Sequence, residues 1–92
     1  MSQPPLWWLV KTPRAEHAIQ QLPPQTKRYV RYALDELRQD PLSGKSLRDE
    51  LAGLYSFKAK RFRIVYRLEH RLRQVTVLAV GPRNTIYDEM LG

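Results

Sequence analysis

Leu54-Tyr55-Ser56-Phe57-Lys58-Ala59-Lys60-Arg61-Phe62-Arg63-Ile64-Val65-Tyr66-Arg67-Leu68 decides the fold. Apolar and polar residues alternate along it, the spacing of a strand with one buried face. Tyr55, Phe57 and Ala59 lie on one side of the first run, with Ser56, Lys58 and Lys60 on the other. Phe62, Ile64, Tyr66 and Leu68 repeat the pattern against Arg61, Arg63, Val65 and Arg67. The alternation breaks near Lys60-Arg61 and again from Glu69 to Leu72, and Gln74 to Val80 is a third run rich in Val and Thr. Three runs with two breaks predict two hairpins, hence an antiparallel meander. Gly81-Pro82 ends it and leaves Arg83 to Gly92 as a short tail.

Upstream of the meander the period lengthens. Thr12-Pro13 reads as a helix start, because Thr can cap and Pro at the first helical position gives up no needed N–H. Ala15, Ala18, Ile19 and Leu22 then follow at the spacing of one buried helix face. Pro23-Pro24 breaks that helix and opens another, whose buried face is Val30, Ala33, Leu34 and Leu37. Lys27, Arg28, Arg31 and Arg38 fall largely on its outer side, and Asp40-Pro41 ends it. Two helices joined by so tight a turn predict a hairpin whose apolar faces both need a sheet. Leu6-Trp7-Trp8-Leu9-Val10, apolar on both faces, reads as a short buried strand before them. Pro41 to Gly53 is a loop, with a short helical turn possible near Leu47 to Leu51. The expected architecture is a single α+β domain over residues 1–92, in the order β-α-α-β-β-β. Its antiparallel sheet carries an N-terminal helical hairpin on one face.

Composition narrows the function. The 92 residues include 16 Lys and Arg against 9 acidic residues, a formal charge of +7. Such a balance favours a polyanionic partner, whether nucleic acid, anionic membrane or acidic protein. The absence of cysteine excludes a disulfide framework, thiol catalysis and Cys-ligated metal. No apolar run approaches the roughly 18 residues of a membrane span, and Met1 to Pro5 lacks the pattern of a signal peptide. A cytoplasmic protein without metal or cofactor is expected. His17 and His70 have neither ligand spacing nor an acidic neighbour, so surface positions are expected for both.

The chemistry points to Lys58 through Arg73, which holds seven cations and a single carboxylate, Glu69. Alternation sets Lys58 and Arg63 on the sheet face opposite Phe57, Ile64 and Tyr66. If the latter three face the helices, the two cations stand on an open face. Antiparallel sheets often wet one face, and charged residues belong there. Like charges on neighbouring strands nonetheless repel, so their concentration suggests a resident anion.

Several segments together resemble the RelE/ParE toxin superfamily. They are Gly44-Lys45-Ser46-Leu47, Leu54-Tyr55-Ser56-Phe57-Lys58, Phe62-Arg63-Ile64-Val65-Tyr66, and Gly81-Pro82-Arg83 followed by Ile86-Tyr87. Leu22-Pro23 and the Leu37 to Pro41 run match its helical hairpin. The resemblance implies a microbial-RNase-like sheet and a toxin paired with a cognate antitoxin, and the charge of this chain suits an antitoxin that binds through a disordered acidic segment. For the RelE-like branch it implies ribosome-dependent cleavage of mRNA with the ribose 2′-hydroxyl as nucleophile. By that resemblance Lys58, Arg63, Arg83 and Tyr87 are the expected catalytic residues, with Lys60 and Arg61 binding RNA beside them. Members of that branch often carry a further basic residue two positions before the lysine, where this chain has Ser56. Two other functions share the fold: a ParE-like inhibitor of DNA gyrase, and a non-catalytic binding module.

Overall fold

The computed structural model describes residues 6–91. The reading of residues 1–5 as lacking a leader lies outside them, as does Gly92. The chain runs β1 (Trp8–Lys11), α1 (Pro13–Gln20), α2 (Pro24–Gln39), β2 (Lys45–Ser46), β3 (Tyr55–Ala59), β4 (Phe62–Glu69), β5 (Gln74–Pro82) and α3 (Ile86–Leu91). Short 3-10 turns occupy Pro41–Ser43 and Asp49–Leu51, the second within the loop where a helical turn was expected.

Thr12 starts α1 as anticipated. Its Oγ1 accepts the Ala15 N–H at 3.2 Å and donates to the Leu78 carbonyl at 3.3 Å, so one hydroxyl caps the helix and ties it to β5. Thr12→Ala should cost about 1 kcal/mol, the usual worth of an N-cap. A lowered urea midpoint with unchanged slope would register it. Pro23-Pro24 separates α1 from α2, and Val30, Ala33, Leu34 and Leu37 are buried on the inner side of α2. They meet Ile64, Tyr66, Val75, Val77 and Val80 of the sheet, with Phe57, Phe62 and Leu68 packed around them.

The strands lie in the order β1-β5-β4-β3-β2. The meander is antiparallel, as the alternation predicts, and β2 adds to its far edge. Two expectations fail at the other edge. The sheet is mixed rather than antiparallel, because β1 pairs parallel to β5, Leu9 opposite Val75. Parallel neighbours need a long crossover, and here everything between the two strands supplies it. Nor is the first strand buried on both faces. Trp7 and Leu9 pack against the core, but Trp8 is 71% and Val10 42% exposed. The helices cover one face only, and an edge strand has a single neighbour.

The expected tail is also a helix for most of its length. Ile86, fully buried, packs on Val65 and Ala79 across the sheet from α1 and α2, with Leu47, Leu54, Tyr87 and Met90 around it. The face predicted to be open is therefore covered in its middle by α3 and remains open beside the β3–β4 turn. Gly81 permits the close approach: a Cβ there would come within 2.9 Å of the Ile86 side chain.

Candidate nucleic-acid interface

Lys58 and Arg63 are direct cross-strand partners on the face away from α1 and α2. Opposed residues of an antiparallel pair hold their Cβ atoms about 5 Å apart, so two cations leave the sheet almost together. Arg63 is in turn opposite Gly81, and Arg83 follows two residues on. The Arg83 N–H donates to the Arg61 carbonyl at 2.9 Å, which ties the loop after β5 to the β3–β4 turn. Lys58, Lys60, Arg61, Phe62, Arg63, Pro82, Arg83 and Asn84 surround a single open cleft of about 960 Å³. Among the described residues no carboxylate lies within salt-bridge distance of its five cations; the ion pairs are Lys11–Glu16, Arg14–Glu89 and Arg67–Glu69, all elsewhere.

The Arg63 guanidinium is held in place. Its Nη1 donates to the carbonyls of Lys60 and Phe62, both at 3.0 Å. A guanidinium has five N–H donors, so Nε and Nη2 remain for a ligand. Arg83 and Arg61 are exposed. Together the groups offer planar, permanently charged donors that suit a phosphate.

Not every expected residue joins this cluster. Lys60 opens the two-residue turn with φ of +57° and borders the cleft, but its ammonium lies 4.2 Å from the centroid of the Tyr29 ring on α2. Tyr87 stands to one side of the cleft. The first turn of α3 carries it, and its hydroxyl is hydrogen-bonded to the Ser56 hydroxyl at 2.8 Å. Phe62, Pro82 and Asn84 were not foreseen at the cleft. Asn84 follows Arg83 in the turn after β5, and a polar residue beside a turn cation is the signal that was available for it. His17 and His70 are exposed, and the His70 ring meets Trp7 edge-on at 5.6 Å. No cluster of metal-ligating side chains occurs among the described residues, and no helix among them is long and apolar enough to cross a membrane.

Solved structures share this fold. The chain is similar to one in the RelBE2 toxin–antitoxin complex of Mycobacterium tuberculosis, with 31% identity, a TM-score of 0.79, and coverage of 85% of this chain and 99% of that one. An Escherichia coli RelE toxin mutant in the free state has the same fold at 22% identity, with a TM-score of 0.77 and coverage of 94% and 95%. The fold and these likenesses place the chain among type II toxins of the RelE/ParE superfamily. The chain belongs to the ParE-like toxin family of type II bacterial toxin–antitoxin systems, whose model matches residues 9–91. Among curated proteins it resembles Toxin RelG of M. tuberculosis, 36% identical over 78 residues that span 83% of this chain and 90% of the relative.

Proposed function

We propose that this toxin is a ribosome-dependent mRNA endoribonuclease, acting in the cytoplasm and silenced by a cognate antitoxin that meets its basic surface with an acidic segment. The observation that carries the reading is the convergence of Lys58, Arg63 and Arg83 on one cleft with no carboxylate to neutralise them. Like charges so placed repel one another, and a phosphodiester is the ligand that relieves them. In the reaction the ribose 2′-oxygen loses its proton and bonds to phosphorus. The bond from phosphorus to the 5′-oxygen breaks, and that oxygen takes up a proton. The products are a 2′,3′-cyclic phosphate and a 5′-hydroxyl.

Negative charge grows on the phosphoryl oxygens along this path, and fixed cations aimed at them lower the barrier. Arg63 and Arg83 fill that role, and Lys58 carries a proton to or from the reacting oxygens. Tyr87 flanks the scissile site, and Arg61 and Lys60 attract the adjoining backbone. A basic toxin and an acidic, folding-on-binding antitoxin segment are complementary in charge, which favours fast capture.

Mapping of RNA ends after brief expression tests the proposal. New 5′-hydroxyl ends inside translated mRNA are expected for the wild type, and none for Arg63→Ala. Intact mRNA accompanied by a DNA-damage response would overturn it in favour of gyrase inhibition.

A further inference from the structure

We infer that Ser56 is a positioning residue for Tyr87, and that position 56 serves the cleft through that tyrosine instead of touching the phosphate itself; this rests on the nuclease reading above. Ser56 lies on the same face of β3 as Lys58, two residues before it and so about 7 Å along the strand. It is one of two buried polar residues of the chain's interior among those described, 7% exposed, and its hydroxyl has one side-chain partner, Tyr87 at 2.8 Å. A cation at position 56 would reach toward the cleft directly. A serine is too short for that, but its reach suits the phenol laid across it.

The Tyr87 ring packs beside Val65, Ala79 and Ile86, and the bond to Ser56 fixes its hydroxyl end. α3 has only six residues, too few to hold a helix unaided. Ile86 anchors its start against Val65 and Ala79, and Glu89 reaches Arg14 at 3.7 Å on the surface. Neither of these contacts holds the Tyr87 hydroxyl. Among the described residues the Ser56–Tyr87 bond is the sole side-chain hydrogen bond between α3 and the sheet. It holds the phenol beside Ser56, the next same-face position along β3 from Lys58. On the nuclease reading, a nucleotide adjoining a phosphate held by Lys58 and Arg63 would extend toward that ring. Ser56 thereby orders a group that would otherwise move with a short helix.

Single-turnover cleavage of mRNA on programmed ribosomes, measured for Ser56→Ala, Ser56→Thr, Tyr87→Phe and the Ser56→Ala/Tyr87→Phe double variant, tests the assignment. Ser56→Ala should lower the maximal rate about tenfold with the half-saturating toxin concentration little changed. Ser56→Thr, which keeps the hydroxyl, should restore most of the rate. In the Tyr87→Phe background Ser56→Ala should have no further effect, since two residues acting as a unit do not add. Hydrogen exchange should show faster exchange of residues 86–91 in Ser56→Ala with the sheet unaltered. A wild type that cleaves, beside a Ser56→Ala variant that cleaves equally well, would sink the inference and leave the nuclease standing. So would losses that simply multiply in the double variant. A wild type that cleaves nothing would remove the nuclease reading and this inference with it.

Discussion

Arg83→Ala should reduce mRNA cleavage on translating ribosomes roughly 10²- to 10³-fold, the cost of deleting one donor from a preorganised anion site. Arg83 reaches the cleft from the loop after β5, and its backbone N–H, not its side chain, ties that loop to the β3–β4 turn. Truncation at Cβ therefore removes the guanidinium and keeps the loop. The residue is exposed and has no ion pair among the described residues, so its stability effect should stay within about 0.5 kcal/mol. Activity and fold are thus separable at this position. Arg83→Lys retains the charge and loses the planar two-pronged contact, and should fall between alanine and the wild type. Cleavage that survives Arg83→Ala undiminished would show that the phosphate does not sit in this cleft.

The largest expected effect on stability is at Tyr66, which is fully buried between α2 and the sheet. Its hydroxyl donates to the Pro41 carbonyl at 2.8 Å and accepts the Gly44 N–H, and its ring stacks on Tyr55 with centroids 5.4 Å apart. Gly44 is as constrained as its partner, because a Cβ there would collide with the phenolic oxygen. Tyr66→Ala empties a large site and strands two polar groups. By analogy with other buried aromatic residues it should cost about 3–5 kcal/mol, much of what a domain this size has to lose. Tyr66→Phe keeps the ring and strands the same two groups, for about 1–3 kcal/mol. Urea unfolding of both variants separates packing from hydrogen bonding.

The same residue makes an alkaline prediction. Burial pushes the Tyr66 phenol up from 10.0 to about 12, chiefly because the phenolate cannot be solvated there. The folded state thus favours the protonated form. Its contribution is complete below about pH 10 and is lost as pH rises from about 10 to about 12. Tyr66→Phe should flatten that decline, and an unchanged alkaline limb would contradict the assignment.

Much of the architecture is legible in the sequence because its signals are local. Pro23-Pro24, the Thr12-Pro13 start and the alternation from Tyr55 to Leu68 each act over a few residues, and each is realised. The parallel pairing of β1 is a different matter. It depends on which strand β5 leaves exposed, and nothing within residues 6–11 encodes that. The same dependence leaves Trp8 in solvent although its composition suggests burial. α3 escaped because six residues carry little periodicity, although Asp88 and Glu89 in its first turn suit a helix start. Alternation was enough to associate Lys58 with Arg63, whereas Arg83 was associated with them only through the family resemblance, since Gly81-Pro82-Arg83 carries no local signal of the cleft. Lys60 lines the cleft and also approaches Tyr29 of α2, a contact that alternation does not reveal because it does not extend through a turn. The Ser56–Tyr87 contact joins residues 31 apart and has no local signature.

The parallel ladder between β1 and β5 bears on how the protein is born. Thr12 and Leu78, which that ladder brings together, are separated by 66 positions. A nascent chain emerging from its amino end has its first strand and both hairpin helices in hand long before their partner exists. Pairings of such long range are slow, because loop entropy is lost before contacts compensate. Until Gln74 to Pro82 are synthesised, Ala15, Ile19 and Leu9 lack the strand that contributes most of their packing surface. Arg83 follows that strand directly, so the cleft cannot form before the sheet that supports it is complete.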